Sequence, residues 1–145
     1  MKCKINPYLN FNGNTEEAFN FYKSVFGGEF ITVMRYSETP EAGKVPDAEK
    51  NKIMHIALPI GEGNILMGTD CLESMGHVVK PGDNIILSVD VHSKEDADRL
   101  FSTLSAGGKV HMPIEDTFWG AYFGMFSDMF GIIWMVSFDT KANQN

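Results

Sequence analysis

The chain is poor in cysteine, with only Cys3 and Cys71 among 145 residues. Two such distant thiols make neither a disulfide framework nor a CxxC metal knuckle; they read as reduced, mostly buried side chains. Basic residues are scarce too. Twelve Lys and Arg stand against nineteen Asp and Glu, for a net charge of −7. They are scattered without a basic stripe, which argues against nucleic acid and against anionic membrane surfaces as partners. No apolar run approaches the roughly 20 residues that cross a bilayer. The opening "MKCKINPYLNF" alternates apolar and polar residues and lacks the apolar core of a signal peptide, so the expected location is the cytoplasm. Phosphate loops are missing as well: "GGEF", "IGEGN" and "SAGGK" read as helix stops and turns, with no GxxxxGK[ST] or GxGxxG. There is no GxSxG elbow, and Cys71 has no basic neighbour in sequence, so nucleophilic catalysis has little support.

What is present is apolar, aromatic and repetitive. Hydrophobic residues make up 43% and charged residues 21%, the balance of a globular chain of one domain. "NTEEAFNFYKSVFGG" predicts a helix: Asn14 is an N-cap type, Glu16 and Glu17 occupy the first turn, and Gly27-Gly28 ends it. Ala18, Phe21, Tyr22 and Val25 share one face at helical spacing. "SKEDADRLFSTLSAGG" repeats the pattern, with Ser93 as cap and Ala97, Leu100, Phe101 and Leu104 on the buried face. The two helices superpose at an offset of about 79 residues, and each follows a short strand, "PYLNF" or "NIILSVDV". Three strand-like runs follow each: "EFITVMRY", "KIMHIALPI" and "NILMGTD", then "KVHMPIE", "AYFGMFS" and "GIIWMVSF". The expected fold is therefore α+β, a duplicated βαβββ unit. Module 1 covers about 4–72, a linker 73–83, module 2 about 84–139 and a C-terminal tail 140–145. Two such units can roll into one open curved barrel with the helices outside. "SETPEAGKVPDAEKN" has no periodicity and reads as a mobile surface loop, or as a lid.

At "INPYLNFNGNTEEAFNFYKSVFGGE", "IMHIALPIGEGNILMGTD" and "FWGAYFGMFSDMFGIIWM" the sequence resembles the vicinal-oxygen-chelate superfamily. This is the glyoxalase/bleomycin-resistance/extradiol-dioxygenase group, and the likeness is to its PhnB-like members, over roughly residues 4 to 138. The resemblance implies paired βαβββ modules, an open-sided barrel and a homodimer. Some relatives carry a demethylubiquinone methyltransferase label; this chain has neither an adenosylmethionine-type Gly-rich turn nor room for a nucleotide-binding domain. Metal-using members take His, Gln or Glu ligands from the first and last strand of each module. Laid over this sequence, those positions fall near Pro7, Met67, Asn84 and Met135. Three of the four lack a good donor for a hard divalent ion, and Asn84 is the one survivor. The four histidines, His55, His77, His92 and His111, form no HxH or HxxxH pair. No metal and no cofactor is expected, and a divalent metal is the alternative.

His55 and Asp70 are the best catalytic candidates. A neutral imidazole suits acid–base work, and Asp70 at the end of the next strand would orient it. The expected ligand-binding set is Leu9, Phe11, His55, Met67, Asp70, Trp119, Tyr122 and Met135, with Trp119 as a stacking wall and His55 as the orienting polar group. Arg35 would pair with an anionic substituent. The leading functional expectation is a PhnB-like protein that binds a small organic molecule in a largely apolar cleft. The rivals are a metal-dependent lyase, isomerase or dioxygenase, and a dimeric structural or interaction protein. Whether a bond is made or broken is open at this level.

Overall fold

The computed structural model describes residues 1–140. The remainder of the tail, 141–145, lies outside the described residues. The elements run β1 (Tyr8–Phe11), α1 (Thr15–Phe26), β2 (Thr32–Arg35), β3 (Ile53–Ile60) and β4 (Asn64–Asp70), then β5 (Leu87–Asp90), α2 (Lys94–Leu104), β6 (Lys109–Asp116), β7 (Ala121–Ser127) and β8 (Ile133–Asp139). Two compact units result, one covering Met1–Lys80 and the other beginning at Pro81. Their sheets have the same order, β1-β4-β3-β2 and β5-β8-β7-β6. In each, the first strand lies parallel to the last and the other pairings are antiparallel. The duplicated βαβββ pattern is thus the observed architecture. No helix is long and apolar enough to cross a membrane among the described residues.

In unit 1 one sheet face packs on α1. Thr15, Ala18, Phe19 and Tyr22 are buried, at i, i+3, i+4 and i+7. This stripe is rotated from the expected one: Phe21 and Val25 are only half-buried. The cause is the sheet beneath. Gly68 on β4 has no side chain, and the Phe19 ring fills the space; a Cβ there would lie 2.5 Å from Phe19 Cε1. Phe19 meets Phe11 and Tyr22 edge-on, with ring centroids 6.3 and 5.5 Å away. The cap differs too. Asn14 makes no side-chain cap bond; the free Thr15 N–H donates to Asp70 Oδ1 at 3.0 Å instead. The same oxygen accepts from Thr15 Oγ1 at 2.6 Å, and Oδ2 accepts from the Ile53 N–H at 2.8 Å. One carboxylate therefore ties the start of α1 to the start of β3.

The excursion between β2 and β3 is folded rather than irregular. It forms three single turns of 3-10 helix, at Tyr36–Glu38, Ala42–Lys44 and Asp47–Glu49. Val45 is buried and Ser37 N–H donates to the Lys50 carbonyl. The linker is held as well. Asn12 accepts from the Val79 N–H at 2.8 Å and donates to the Val79 carbonyl at 3.0 Å, both bonds lying within unit 1.

In unit 2, Ser93 caps α2 by accepting from the Asp96 N–H. Ala97 and Leu104 are buried, and Phe101 meets Phe126 edge-on at 5.1 Å. Gly124 on β7 faces Phe101 as Gly68 faces Phe19. A second buried carboxylate, Asp128, accepts from the Phe130 and Ile132 N–H groups and from Trp134 Nε1. It shapes the turn that joins β7 to β8, where Gly131 takes a φ of 88°.

Candidate functional site

Side chains alternate along a strand, so the residues next to the helix-facing ones define the open face of each sheet. In unit 1, Leu9 and Phe11 go to the helix side with Gly68, Ile56 and Leu66. The open face carries Tyr8 and Asn10 from β1, Met67 and Thr69 from β4, His55 and Ala57 from β3, and Met34 from β2. Tyr8 stands opposite Met67, which stands opposite Ala57; His55 stands opposite Met34. Leu9 and Phe11 thus belong to the α1 core, and Tyr8 occupies the place that was assigned to them.

Tyr8 and His55 form the polar centre of this face. The phenol oxygen lies 3.1 Å from His55 Nδ1, and the two rings stack at 5.7 Å with 30° between their planes. Burial pushes the Tyr8 phenol up, against the Thr69 hydroxyl, which lowers it; Tyr36 and Cys71 add to the rise. Thr69 in turn donates to the Met54 carbonyl at 2.7 Å, and Tyr36 donates to the Asp70 carbonyl at 2.7 Å. Asp70 itself does not reach His55. Its carboxylate is buried at 1% exposure and serves Thr15 and Ile53 on the helix side, so a strand-end acid placed beside the imidazole by sequence turns out to be a helix anchor. Arg35 is likewise engaged. Its guanidinium binds Glu16 at 2.5 and 3.2 Å and the Asn51 carbonyl at 2.8 Å, and Arg35 holds the Glu16 carboxyl below its usual range. It pairs with its own chain, not with an anionic substituent.

In unit 2 the open face reads differently. Ser88 stands opposite Met135, which stands opposite Met125, itself opposite Met112. Phe123 follows on β7, and Trp119 from the preceding turn meets it edge-on at 5.8 Å. Trp119 is 48% exposed, with Phe118 against its other side at 5.0 Å. Tyr122 lies on the helix face with Gly124: its hydroxyl donates to Asp98 on α2 at 2.5 Å, and Lys94 Nζ sits 4.8 Å from its ring centroid. The alternation on β7 therefore runs opposite to the expected one, and Phe123 takes the outward place given to Tyr122. His111 Nε2 lies 2.7 Å from Ser127 Oγ, at the edge of an open groove of about 450 Å³ that also touches Asp83 and Ile133.

Of the expected set, then, His55 and Met67 share the open face of unit 1, while Trp119 and Met135 belong to that of unit 2. Leu9, Phe11, Asp70 and Tyr122 face the helices. Tyr8 was missed although β1 signals it: "YLNF" offers either Tyr8 and Asn10 or Leu9 and Phe11, and the helix takes the apolar pair.

The register also relocates the positions that metal-using relatives fill with ligands. The residue opposite Met67 is Tyr8, while the Pro7 carbonyl accepts from the Met67 N–H. The residue opposite Met135 is Ser88; Asn84 lies ahead of β5 and is exposed. Two thioethers, a phenol and a serine hydroxyl are poor donors for a hard divalent ion, so the superfamily's metal does not fit these residues. Among the described residues, no three His, Cys, Asp or Glu side chains are grouped to hold a metal ion.

The Tyr122 phenol is pushed up to about 12, first by its bond to Asp98, then by burial and by the charges of Asp98 and Asp116. An unfolded phenol ionises near 10, so the folded state gains from the neutral form. That stability is complete below about pH 10 and lost as pH rises toward the folded value. In an absorbance titration, Tyr122→Phe is expected to remove the most alkaline step. It is also expected to flatten the fall in stability over that interval; an unchanged titration would contradict the Asp98 bond.

Comparisons with known proteins agree with this architecture. The family model for the Glyoxalase/Bleomycin resistance protein/Dioxygenase superfamily matches residues 4–136. Protein YjdN of Escherichia coli K12 is 30% identical over 143 residues, covering 92% of this chain and 93% of that protein. The crystal structure of protein PA1353 from Pseudomonas aeruginosa superposes with a TM-score of 0.84 at 39% identity, covering 95% of this chain and 98% of that one. The PhnB protein from Bacillus cereus gives a TM-score of 0.76 at 27% identity, with coverage of 94% and 99%.

Proposed function

The chain belongs to the glyoxalase/bleomycin resistance protein/dioxygenase superfamily, and from that premise we propose that it binds a small organic molecule on the open faces of its sheets without a divalent metal. The observation that carries this is the pair of positions opposite each other on first and last strands. They hold Tyr8 with Met67 in one unit and Ser88 with Met135 in the other. Thioethers and aromatic rings give an adaptable apolar lining, and a few hydroxyls and one imidazole supply direction. Met34 and Met67 line the open face of unit 1, and Met112, Met125 and Met135 line that of unit 2. Trp119, half-exposed beside Phe123, is a stacking surface for a flat ligand.

Two measurements on protein purified without a His tag test this. Metal analysis is expected to return well under one equivalent of Zn, Ni, Mn or Fe, and EDTA to leave the melting temperature unchanged. A thermal-shift screen against small metabolites is expected to return hits that weaken on Trp119→Ala. Stoichiometric metal that disappears on His55→Ala would establish the metal-dependent alternative instead. Hits insensitive to Trp119→Ala would remove the tryptophan from the binding surface, and no hits at all would favour a structural role. The family resemblance also carries the dimer expectation. Exposed Ile31 and Val33, at 60% and 41% exposure beside and on edge strand β2, support it, and light scattering in solution tests it.

A further inference from the structure

Resting on the small-molecule reading above, we infer that the Tyr8–His55 pair is a hydrogen-bonding site for an uncharged oxygen acceptor, a ketone, aldehyde or amide carbonyl on a flat ligand. The first ground is donor accounting. The phenol oxygen and His55 Nδ1 are 3.1 Å apart, and no other group of the described residues hydrogen-bonds the imidazole. If the phenol donates to Nδ1, the imidazole proton sits on Nε2 and that N–H has no protein acceptor. If Nδ1–H donates to the phenol oxygen, the O–H must turn outward, toward the Thr69 oxygen or a ligand. With the phenol donating to Nδ1 the neutral pair supplies the Nε2–H donor, and this is the arrangement the proposal uses.

The second ground is charge. Besides burial, the side chains that perturb the phenol are Thr69, Tyr36 and Cys71; none is a carboxylate, ammonium or guanidinium. Charged side chains of unit 1 are committed elsewhere: Asp70 to Thr15 and Ile53, Arg35 to Glu16, Lys52 to the Gly13 carbonyl. A carboxylate seated here would lose hydration without meeting a cation, and an ammonium would meet no anion. A neutral carbonyl loses little hydration and gains a directed bond. The third ground is shape. Tyr8 is 46% exposed, stacks on His55 with 30° between the rings and stands opposite Met67 in the strand pairing, so a planar group can lie along this face while its oxygen meets the pair.

Three single-ring probes that differ in charge test the inference: acetophenone, benzoate and benzylamine. Each is titrated into the full-length protein while the His55 ring nitrogens and the backbone amides are followed by NMR. Acetophenone is expected to shift the His55 nitrogens, with benzoate and benzylamine at least tenfold weaker at the same resonances. Tyr8→Phe is expected to weaken acetophenone about fivefold and His55→Phe about tenfold, the range of one lost neutral hydrogen bond. Tyr8 lies on the surface and Phe already stands at the position in unit 2 that corresponds to His55, so both variants should fold; their amide spectra verify this. Benzoate matching acetophenone would overturn the uncharged class. Acetophenone shifting only residues away from His55 would overturn the site while leaving small-molecule binding intact. If neither acetophenone nor any metabolite in the thermal-shift screen binds, both readings fall together.

Discussion

Asp70→Ala is expected to lower folding stability by roughly 3–5 kcal/mol, the largest effect of any single polar substitution in unit 1. The side chain is 1% exposed and its two oxygens accept three bonds, from Thr15 N, Thr15 Oγ1 and Ile53 N. Removing it strands two backbone donors and a hydroxyl in a place that water does not reach. Each stranded group carries its own desolvation cost of about 1–3 kcal/mol, partly relieved if a water enters the vacated space. Against a total stability of about 5–15 kcal/mol for a domain of this kind, little would remain. Urea unfolding checks it: the midpoint should fall sharply with little change in slope. Asp70→Asn keeps one acceptor and exchanges the other for a donor facing a donor, so it should fall between wild type and Ala. A loss below about 1 kcal/mol for Asp70→Ala would contradict the anchoring role assigned to the carboxylate.

Gly124→Ala is expected to be the most damaging one-carbon change in the core of unit 2, at roughly 2–3 kcal/mol. A Cβ at this position would lie 2.6 Å from Phe101 Cε2, 2.9 Å from Ile114 Cα and 3.0 Å from Ile114 Cβ. A ring can swing away, but Ile114 Cα belongs to the backbone of β6 and moves only if the strand moves. Truncating the ring in the double variant Gly124→Ala/Phe101→Leu should therefore recover only part of the loss. Full recovery would mean that the ring alone sets the limit. Thermal or urea unfolding of these two variants and of Phe101→Leu alone decides the matter.

Most of the secondary structure was legible in the residues. "NILMGTD" and "AYFGMFS" coincide with β4 and β7, and Ser93 caps α2 as its spacing predicts. The duplication was legible because two helices with double-glycine stops and four strands apiece leave few other arrangements. What could not be read was which way each strand faces. Alternation sorts "YLNF" into two sets without saying which set meets the helix, and bulky apolar residues were assigned to the ligand when the helix needed them. The same ambiguity moved Tyr122 to the α2 side and Phe123 outward. Asp70 was misread for a different reason. Its partners, Thr15 and Ile53, are 55 and 17 residues away in sequence, and no local pattern announces a cap supplied from that distance. Register is equally non-local: only the pairing of β5 with β8 shows that Ser88, not Asn84, stands opposite Met135.

The two units share a sheet order and keep a methionine at the same station, Met67 and Met135, yet their outward residues have parted. Tyr8 corresponds to Ser88, Asn10 to Asp90, Thr69 to Ser137 and His55 to Phe123. Every one of these differences sits on the strand face turned away from the helix; the intervening residues carry the packing on the helices. A period of two thus acts as insulation between inheritance and invention. The outward residues of each unit can therefore differ without touching the contacts that let it fold. Changing what such a face offers needs no new scaffold, only substitutions at alternate positions.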